Sequence, residues 1–472
     1  MKPVLLIYPK HSPFPHSIGF PVTIYTLGKY LEKYGFEVDY FDERVDPKEK
    51  LVEYLKKEPL LVGLSTMTSY QITSALKLAK FVRNFNLNLP IVWGGLHPSM
   101  LPLQTIKNEY VDYLVYGEGE ETLKELVEYF LGKTKIENIE GVVWKKDGKI
   151  NKNLRRAFLD YNKIPFPYNI DEKVLQKYLS RNTNVTARDP VFYMSSRGCP
   201  FGCKFCYNRY FNKHFWRQRD LKIVKEELSQ LKKAGVARIF FGDDNIAVTK
   251  EHLLGICKIT KELGLKWSAC IRVTYITEEI TKILEESNCD YLLFGIESGS
   301  QEMLNYMGKG ITVDEVKRCV NALTKTKIIG MYSFMFGFPK EVENHMEKSF
   351  DLVDWIIEQD KKAEIQFQIY TPYPGTPMYE EAIEKGFKPP QSLEGWPKIV
   401  CDEVNVPWVK NKTLLRNLYV ISVFAFRNQE FLKNKLFYIP HKIALWRWKH
   451  KFFKFSYERL IYDLVKKIPW LN

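Results

Sequence analysis

The feature that most constrains this chain is a run of three cysteines in a short loop, Cys199-Pro-Phe-Gly-Cys203-Lys-Phe-Cys206. The run follows an apolar, strand-like segment, Val191–Ser196. Three thiolates so close together can bind one soft metal centre, whereas ordinary iron–sulfur electron carriers and structural zinc sites use four ligands. Only three thiolates leave one iron of a four-iron cluster without a protein ligand, and an open iron can bind a substrate or cosubstrate. The spacing therefore predicts a reactive metal centre held by Cys199, Cys203 and Cys206.

Length and composition describe an ordinary globular protein. The chain has 472 residues, 45% of them hydrophobic and 27% charged, which is enough for two or three domains with full cores. Its eight cysteines are irregularly spaced outside the run, which favours the reduced interior of a cell over a disulfide framework. The amino terminus reads as a first strand, and no apolar run reaches the roughly 18 residues of a spanning helix. We therefore expect a cytoplasmic protein.

Strand and helix patterns alternate along the first 130 residues, which predicts a parallel, doubly wound α/β sheet. Ligands bind such sheets beyond the carboxyl ends of the strands, and glycine there lets a large ligand approach the backbone closely. Each glycine alone is most simply a tight turn, but three such ends on successive strands favour a shared cofactor site. The predicted site residues at these ends are Ser65, Thr66, Gly94, Gly95, Gly117 and Glu118.

The same strand ends carry a resemblance to a known family. Gly63-Leu-Ser-Thr66, Gly94-Gly-Leu-His-Pro98 and Gly117-Glu-Gly-Glu120 resemble the cobalamin-binding domain that precedes some radical enzymes. The resemblance implies a Rossmann-like domain over residues 1–135, with a cobalamin lying across the strand ends. The usual Asp-x-His-x-x-Gly is absent, so this motif provides no lower histidine ligand for cobalt. His97 is expected either to contact the corrin or its tail or to hold a turn.

Residues 136–187 read as a connector between two domains. Gly141–Trp144 and the following Lys145–Gly148 predict a hairpin with an Asp-Gly turn. Residues 164–168 are proline-rich and extended, and residues 181–190 are polar. We therefore expect the second domain to begin at residue 188.

The surroundings of the cysteine run, Ser196 to Asn208, strongly resemble the radical S-adenosylmethionine superfamily. The resemblance implies a 4Fe-4S cluster whose open iron is chelated by the amino and carboxylate groups of S-adenosylmethionine. One electron then cleaves a carbon–sulfur bond and makes a 5′-deoxyadenosyl radical, and an electron donor such as ferredoxin or flavodoxin is implied. Phe205 matches the aromatic residue usually found between the last two cysteines. Zinc is disfavoured because no further cysteine or histidine pair has suitable spacing.

Residues 188–400 have the strand–helix rhythm of a partial (β/α)6 barrel of the TIM type, which places its site at the carboxyl ends of the strands. By position, Asp243 and Asp244 resemble the motif that receives the amino group of S-adenosylmethionine. Arg272 resembles the residue paired with its carboxylate, a task that suits a planar, charged fork. Glu297 and Ser298 resemble the segment that contacts ribose and methionine. Helix capping and surface ion pairs are the alternatives for each.

Five further cysteines lie outside the run. Four of them occur in apolar helix or strand contexts, where cysteine acts as a small hydrophobic residue. Cys401, which follows the barrel, is a weaker candidate to enter the site as a thiol. The four in apolar contexts are Cys257, Cys270, Cys289 and Cys319.

The tail, residues 401–472, is predicted to be helical, basic and aromatic. From residue 427 to the end it holds eleven Lys and Arg against three acidic residues, within a chain of net charge +14. Basic residues interleaved with Trp and Phe are typical of a helix at a membrane surface. Nucleic acid is the less favoured ligand for such a face. The simplest interpretation, preferred over both, is a helical cap packed on the barrel, with solvated lysines.

The sequence thus predicts a cobalamin-dependent radical S-adenosylmethionine enzyme. The favoured reaction is methylation of an unactivated carbon of a small molecule or lipid, with S-adenosylmethionine serving both as radical source and as methyl donor. One rival is a related enzyme that cyclises or oxidises a lipid or tetrapyrrole. The other is a non-catalytic iron–sulfur protein that binds nucleic acid.

Overall fold

A computed structural model describes residues 2–12, 19–179, 191–400, 404–426, 435–455 and 457–465. Its contacts divide the chain into two units. Unit 1 comprises Met1–Ala187 with Pro389–Val400, and unit 2 comprises Arg188–Lys388 with Cys401–Asn472. The predicted boundary at residue 187, the polar segment 181–190 and Cys401 lie outside the described residues.

Unit 1 is built on a seven-stranded sheet in the order β2-β1-β3-β4-β5-β6-β7. The first five strands are parallel, as predicted, and the last two are antiparallel. The parallel strands are short apolar runs, which suits a sheet covered on both faces. The strands are β1 (Val4–Tyr8), β2 (Val38–Asp42), β3 (Leu61–Ser65), β4 (Ile91–Gly94), β5 (Tyr113–Val115), β6 (Val142–Lys146) and β7 (Lys149–Lys152).

Helices connect the parallel strands of unit 1, and the two antiparallel strands form the predicted hairpin. Asp147 and Gly148 both have positive φ, 51° and 72°, as a two-residue turn of this kind requires. The hairpin extends the sheet, although the sequence placed it in a connector. The helices are α1 (Val22–Lys33), α2 (Lys48–Lys56), α3 (Tyr70–Phe85), α4 (Leu96–Met100), α5 (Pro102–Thr105), α6 (Glu120–Phe130) and α7 (Glu172–Leu179).

The segment Pro389–Val400 packs in unit 1, whereas the sequence assigned it to the end of the barrel. Its 3-10 helix, Leu393–Lys398, buries Trp396 completely. The Trp396 indole donates to Gln104 Oε1 at 2.5 Å, and Gln104 Nε2 donates to the Pro390 carbonyl at 2.8 Å. These contacts join residues almost three hundred positions apart, so no local pattern could reveal them.

Unit 2 contains a six-stranded parallel sheet in the order β15-β14-β13-β12-β11-β8, which confirms the predicted partial barrel. Burial alternates along β14, so one set of side chains lines the interior and the other packs against helices. A two-stranded pair, β9 with β10, flanks the cysteine loop. The strands are β8 (Val191–Tyr193), β9 (Ser196–Arg197), β10 (Arg217–Gln218), β11 (Arg238–Phe241), β12 (Lys266–Cys270), β13 (Cys289–Glu297), β14 (Ile329–Phe336) and β15 (Glu364–Ile369).

The helices of the barrel alternate with these strands, and three more helices form the predicted helical tail. In the tail, α16 packs on the edge strand β15, where the Phe367 amide donates to Ser422 Oγ at 3.1 Å. Within the described ranges, no helix has the length and apolar character needed to cross a membrane. The helices are α8 (Asn208–Phe211), α9 (Leu221–Lys233), α10 (Lys250–Leu263), α11 (Glu278–Glu286), α12 (Gln301–Tyr306), α13 (Val313–Thr324), α14 (Glu343–Gln359), α15 (Pro377–Glu384), α16 (Lys412–Ala425), α17 (Lys435–Lys449) and α18 (Tyr457–Val465).

Candidate active site

The cysteine loop leaves β9 through a glycine that no other residue can replace without a shift of the backbone. Gly198 has φ of +88°, and a Cβ there would lie 1.9 Å from the Phe215 carbonyl oxygen. Residue 198 therefore packs directly against the chain that returns from the loop. This close contact, together with the pairing of β9 and β10, fixes both ends of the segment that carries the three cysteines.

Asp244 holds the cysteine loop from the end of β11. One carboxylate oxygen accepts from the Gly198 amide at 3.0 Å, immediately before Cys199. The other accepts from the Tyr207 hydroxyl at 2.5 Å, immediately after Cys206. Burial and the Asp244 charge hold the pKa of Tyr207 well above its usual value, so the phenol stays a donor. Asp244 thus clamps both ends of the loop, a positioning role that the sequence did not predict.

Asp243 is buried and anchors the chain before the loop. Its carboxylate accepts from the Ser195 amide at 3.0 Å and the Ser195 hydroxyl at 2.8 Å, and also from the Ser196 hydroxyl. Burial raises the pKa of Asp243 to about 6, although these donors lower it in part. Contact of Asp243 or Asp244 with the amino group of S-adenosylmethionine remains a prediction, beside these structural roles.

The three loop cysteines are half-buried and close enough to influence one another's ionisation. Burial, followed by neighbouring thiols and Asp244, raises the pKa of Cys206 to about 12, and burial also raises the pKa of Cys199. Three such thiolates repel one another unless a cationic centre lies between them. Among the described residues, no group of three His, Cys, Asp or Glu is arranged for a single metal ion. A cluster, in which each thiolate binds its own iron, fits this donor set.

Arg272, after β12, lies against the cysteine loop and keeps one donor unused. Its guanidinium stacks on the Phe201 ring at 3.8 Å. One terminal nitrogen donates to the Lys309 carbonyl at 2.5 Å and the Gly310 carbonyl at 3.0 Å. Arg272 Nε is shielded from solvent yet has no hydrogen-bond partner among the described residues. This spare donor fits a carboxylate ligand such as that of S-adenosylmethionine.

Lys309 is a site residue that the sequence reasoning missed. Its ammonium lies 2.8 Å from Glu297 Oε1, and both side chains are buried. It also lies 5.9 Å from the centroid of the Phe205 ring, inside the cysteine loop. Burial alone would lower the pKa of Lys309, but the Glu297 carboxylate and the Cys203 thiol outweigh it and raise that pKa. The available signal was a lysine between two glycines in Met307-Gly-Lys-Gly310, just downstream of Glu297.

Glu297 and Ser298 end the strand β13 in different ways. Glu297 has a positive φ of 72°, a strained conformation for a non-glycine residue, and such strain occurs often at functional sites. Ser298 is buried, and its hydroxyl accepts from the Ser300 amide at 3.1 Å and lies 3.3 Å from the Ser349 hydroxyl. The geometry of Ser298 is that of a turn-forming residue, and its contact with S-adenosylmethionine stays a prediction.

Phe205 lies at the junction of the cysteine loop and the end of β14. Its ring meets the edge of Phe338 at 5.9 Å, and Phe338 stacks on Tyr370 at 4.8 Å. Packing and a cofactor contact are therefore both compatible with this residue. Of the remaining cysteines, Cys257, Cys289 and Cys319 are buried as expected, whereas Cys270 at the end of β12 is partly exposed.

The predicted cobalamin residues lie together at the carboxyl ends of β3, β4 and β5 in unit 1. The Thr66 amide donates to the Gly94 carbonyl at 2.9 Å, and the Thr66 carbonyl accepts from the His97 amide at 3.2 Å. A Cβ on Gly94 would make only an ordinary contact, 3.6 Å from the Val115 carbonyl oxygen. A Cβ on Gly95, where φ is +98°, would lie 2.6 Å from the Thr66 carbonyl oxygen. Packing therefore requires the glycine at 95, whereas Gly94, next to Ser65 in the sheet, leaves room for a ligand.

His97 is completely buried and neutral. Its Nδ1 lies 2.8 Å from the Thr68 hydroxyl, and burial lowers its pKa to about 3. Its Nε2 has no partner among the described residues, and its ring meets the edge of Trp396 at 5.4 Å. An orphaned buried nitrogen costs free energy unless a ligand pairs with it. This atom fits the predicted contact with a cofactor tail, and the turn role is compatible as well.

Gly117 and Glu118, at the end of β5, contact the segment that follows the hairpin. A Cβ on Gly117 would lie 3.3 Å from Arg155 Nε. Glu118 is buried and accepts from the Leu159 amide at 3.2 Å. Glu118 therefore anchors this segment to the strand end, and its contact with cobalamin stays a prediction.

Comparison with known proteins finds a matching domain family for each of the two units. Residues 193–353 match the model of the radical SAM superfamily, and residues 15–127 match that of the B12 binding domain. An uncharacterized methyltransferase of Pyrococcus horikoshii is 34% identical over 71% of this chain and 72% of its own length. The cytidylyl-2-hydroxyethylphosphonate methyltransferase of Streptomyces wedmorensis is 25% identical over 82% of this chain and 83% of its own. An anaerobic magnesium-protoporphyrin IX monomethyl ester cyclase of Cereibacter sphaeroides is 26% identical over 95% of this chain and 74% of its own length.

Solved structures share the fold at lower identity. The cobalamin-dependent radical enzyme OxsB, with aqua-cobalamin and S-adenosylmethionine bound, aligns with a TM-score of 0.72 at 17% identity, over 99% of this chain and 75% of its own. The methyltransferase TsrM of Kitasatospora setae, with cobalamin and a 4Fe-4S cluster bound, aligns with a TM-score of 0.69 at 20% identity. The alignment covers 83% of this chain and 76% of the TsrM chain. The matched domains imply that the cofactors are a 4Fe-4S cluster, S-adenosylmethionine and cobalamin. This chain belongs to the radical SAM superfamily, as a member with a B12 binding domain ahead of the radical SAM domain.

Proposed function

We propose that this enzyme transfers a methyl group to an unactivated carbon of a small-molecule substrate. The observation that carries the proposal is the cysteine loop itself, clamped at both ends by Asp244 and bordered by the buried Lys309–Glu297 pair and Arg272. That arrangement supplies three thiolates for a cluster with one open iron, and charged groups for a zwitterionic ligand beside it. Two of the relatives described above are named methyltransferases, which supports this outcome over others.

Each of these residues has a definable task. Cys199, Cys203 and Cys206 would hold the cluster, and Asp244 keeps the loop in the shape that presents them. Arg272 would pair with the carboxylate of S-adenosylmethionine, and Glu297 with Lys309 would border its ribose and methionine. When bound, the cluster with S-adenosylmethionine supplies the hydrogen-abstracting radical, and cobalamin supplies the methyl group. Because Lys309 and Glu297 are buried, their charges act in a low-dielectric environment where they orient a ligand strongly.

In unit 1, Ser65, Thr66, Gly94 and Gly117 would line the cobalamin site, and His97 would pair with the buried tail of the cofactor. Gly94 supports this role because the chain itself does not require a glycine there. The unpaired Nε2 of His97 supports it because cofactor binding would satisfy a buried polar atom.

We also propose that an acidic one-electron carrier, such as ferredoxin or flavodoxin, docks beside the cysteine loop. Residues 191–219 contain six Lys and Arg and no acidic residue, although Arg219 is buried and pairs with Glu227. Directly after the last cysteine, Arg209 and Lys213 are exposed, and so is the Phe215 ring, at 61%. Arg209 also donates to the Gly202 carbonyl within the loop at 3.3 Å. Complementary charge at such a surface accelerates association.

The test is an assay of the reconstituted enzyme with iron, sulfide, cobalamin, S-adenosylmethionine and a chemical reductant. Each methylated product should be accompanied by one S-adenosylhomocysteine, from the methyl donor, and by one methionine and one 5′-deoxyadenosine, from the radical source. The reductant supplies the electrons, and the abstracted hydrogen leaves in 5′-deoxyadenosine. Comparative lipid and metabolite mass spectrometry of cells with and without the protein identifies the substrate. A reconstituted protein that takes up iron and sulfide but no cobalamin contradicts methyl transfer.

Cyclisation or oxidation is the second candidate, because one of the three sequence relatives described above, which aligns with 95% of this chain, is named a cyclase. Product mass separates the two reactions. Methylation adds one methylene to the substrate, whereas ring closure removes two hydrogens. S-adenosylhomocysteine should accumulate only in the first case.

A further inference from the structure

The tail carries an unusual concentration of exposed apolar side chains. Eighteen large apolar side chains are exposed in the part of the chain that the structure describes, and seven of them lie between residues 438 and 460. Clusters of this kind mark interaction surfaces, whereas single exposed apolar residues are ordinary. We call these seven residues the tail face: Tyr438, Ile439, Trp446, Phe452, Phe455, Tyr457 and Leu460.

Helix α17 buries one side in unit 2 and exposes the other, and the exposed side also carries apolar residues. Its exposed residues span about a third of the helix circumference, at about 3.6 residues per turn. The opposite side is buried, and Trp448 there packs edge-on against Phe350 at 5.4 Å and donates to Asp354 at 2.6 Å. One side of the helix therefore caps unit 2 while the other faces outward. The exposed residues of α17 are Tyr438, Ile439, Lys442, Trp446 and Lys449, and His450, directly after the helix, is exposed as well.

The turn between α17 and α18 is held by contacts with Arg447, so its aromatic side chains have a fixed position at the surface. Buried Arg447 pairs with buried Glu458, and it also donates to the Phe452 carbonyl at 3.1 Å and the Lys454 carbonyl at 3.2 Å. Phe455, which has a positive φ of 55°, projects from this turn with 72% of its surface exposed. The ion pair and the two backbone contacts of Arg447 therefore hold this turn in one conformation.

The charges around the tail face are positive. Lys442, Lys449 and Lys454 are exposed along it. Between residues 435 and 460 the sequence has one acidic residue, Glu458, and Arg447 neutralises it in the interior. Lys451 is left out of this group of lysines because its charge is balanced by Asp354, at 2.7 Å.

We infer that the tail face docks on the surface of an anionic lipid bilayer. Trp, Tyr and Phe side chains prefer the boundary between lipid and water, and lysines around them are attracted to anionic headgroups. The aliphatic Ile439 and Leu460 gain nothing from phosphate contacts or base stacking, which disfavours nucleic acid. Docking would place the enzyme on, not across, the membrane and would give it access to a substrate dissolved in lipid.

Co-sedimentation of the full-length protein with vesicles tests this inference. Vesicles of phosphatidylcholine with phosphatidylglycerol should retain the protein, and retention should fall on vesicles of phosphatidylcholine alone or in high salt. The triple variant Lys442→Glu, Lys449→Glu, Lys454→Glu should bind anionic vesicles at least about tenfold more weakly. The double variant Trp446→Ala, Phe455→Ala should lose a comparable share of the binding affinity. The tryptophan fluorescence of the native protein should shift to the blue on binding, and that of the double variant should shift less.

Matched controls lie elsewhere on the surface. Lys258, Lys266 and Lys282 are exposed in unit 2, so their triple change to Glu removes the same charge without touching the tail face. Leu87→Ala with Leu154→Ala removes apolar side chains that are more exposed, at 74% and 80%, than Trp446 and Phe455. Neither control should alter vesicle binding, and circular dichroism should report unchanged helix content for every variant.

Three results would overturn the inference. These are equal binding by the native protein and the triple tail variant, retention by single-stranded RNA but not by vesicles, and a dimer in lipid-free solution that the tail variants convert to monomer. No residue of the tail face is assigned to the cluster, S-adenosylmethionine or cobalamin. Cleavage of S-adenosylmethionine in detergent-free buffer should therefore be the same in the native and tail variants, whichever way the vesicle experiment falls.

Discussion

The Tyr207 hydroxyl donates to Asp244 Oδ1 at 2.5 Å, and this bond ties the residue after the last loop cysteine to the end of barrel strand β11. The same carboxylate receives the Gly198 amide from the other end of the loop. One side chain therefore fixes the entry and the exit of the cysteine run. We therefore expect the shape of the predicted cluster site to depend on this clamp as well as on the cysteines.

Tyr207→Phe should weaken cluster retention while leaving the cysteines in place. A hydrogen bond to a charged group contributes about 2 kcal/mol, and without it Asp244 Oδ1 has no donor among the described residues. We expect lower stability by about that amount and faster bleaching of the cluster absorbance in the presence of a chelator. Tyr275→Phe is the control, since it removes a hydroxyl that donates to the Val248 carbonyl at 2.9 Å and not to Asp244. Equal bleaching rates in the two variants would argue against the clamp.

Cys203→Ala should abolish reductive cleavage of S-adenosylmethionine, because a cluster with two protein ligands cannot be held in a defined position. Iron content after reconstitution and 5′-deoxyadenosine formation measure the effect. Cys319→Ala removes a thiol that is completely buried in α13 and should cost only packing energy. Full activity of the Cys203 variant would exclude the assigned site.

Lys309→Met should destabilise the fold and weaken S-adenosylmethionine binding together. The change leaves Glu297 buried without its partner, which typically costs about 3–5 kcal/mol. The double variant Lys309→Met, Glu297→Leu removes both charges and should regain much of the lost stability. Urea unfolding and equilibrium dialysis of S-adenosylmethionine separate the two effects. Binding that recovers along with stability in the double variant would show that the pair is structural only.

Gly94→Ala and Gly95→Ala should affect unit 1 differently. At Gly95 the positive φ and the close Thr66 carbonyl should make alanine destabilising by at least about 1–2 kcal/mol. At Gly94 the chain tolerates a methyl group, so the protein should fold normally and bind cobalamin less tightly. Thermal unfolding and cobalamin titration by absorbance measure both quantities. Unchanged cobalamin affinity of the Gly94 variant would remove that strand end from the cofactor site.

Because of Glu341, the free energy of unfolding should fall as the pH rises. Its carboxyl group is buried at the end of β14 and accepts from the Gly337 amide, and burial raises its pKa from 4.5 to about 8. Between these values the folded state holds a proton that the unfolded state has lost, so raising the pH favours unfolding. The slope is about 1.4 kcal/mol per pH unit for one proton. Glu341→Gln cannot lose this proton and should gain stability over the native protein from pH 5 to pH 8, as urea unfolding across that range would show.

Much of the fold was readable from the sequence because its signals are local. The apolar runs at Val4, Leu61 and Ile91 predict buried parallel strands, and the Asp-Gly pair at 147 and 148 predicts the hairpin turn. The place of that hairpin in the sheet was not readable, because strand pairing depends on distant partners. The burial of Trp396 in unit 1 was hidden for the same reason.

The sequence alone predicted the cluster ligands and determined the order of the domains and the family, since cysteine spacing and strand-end glycines are properties of contiguous residues. Only the tertiary structure decided how the charged groups are used. In the folded chain, Asp243 accepts hydrogen bonds from Ser195 and Ser196, and Asp244 accepts them from the two ends of the loop. Lys309 forms an ion pair with Glu297. These pairings join strand ends that meet only when the barrel forms. Their geometry depends on burial and backbone conformation, which spacing along the chain does not encode.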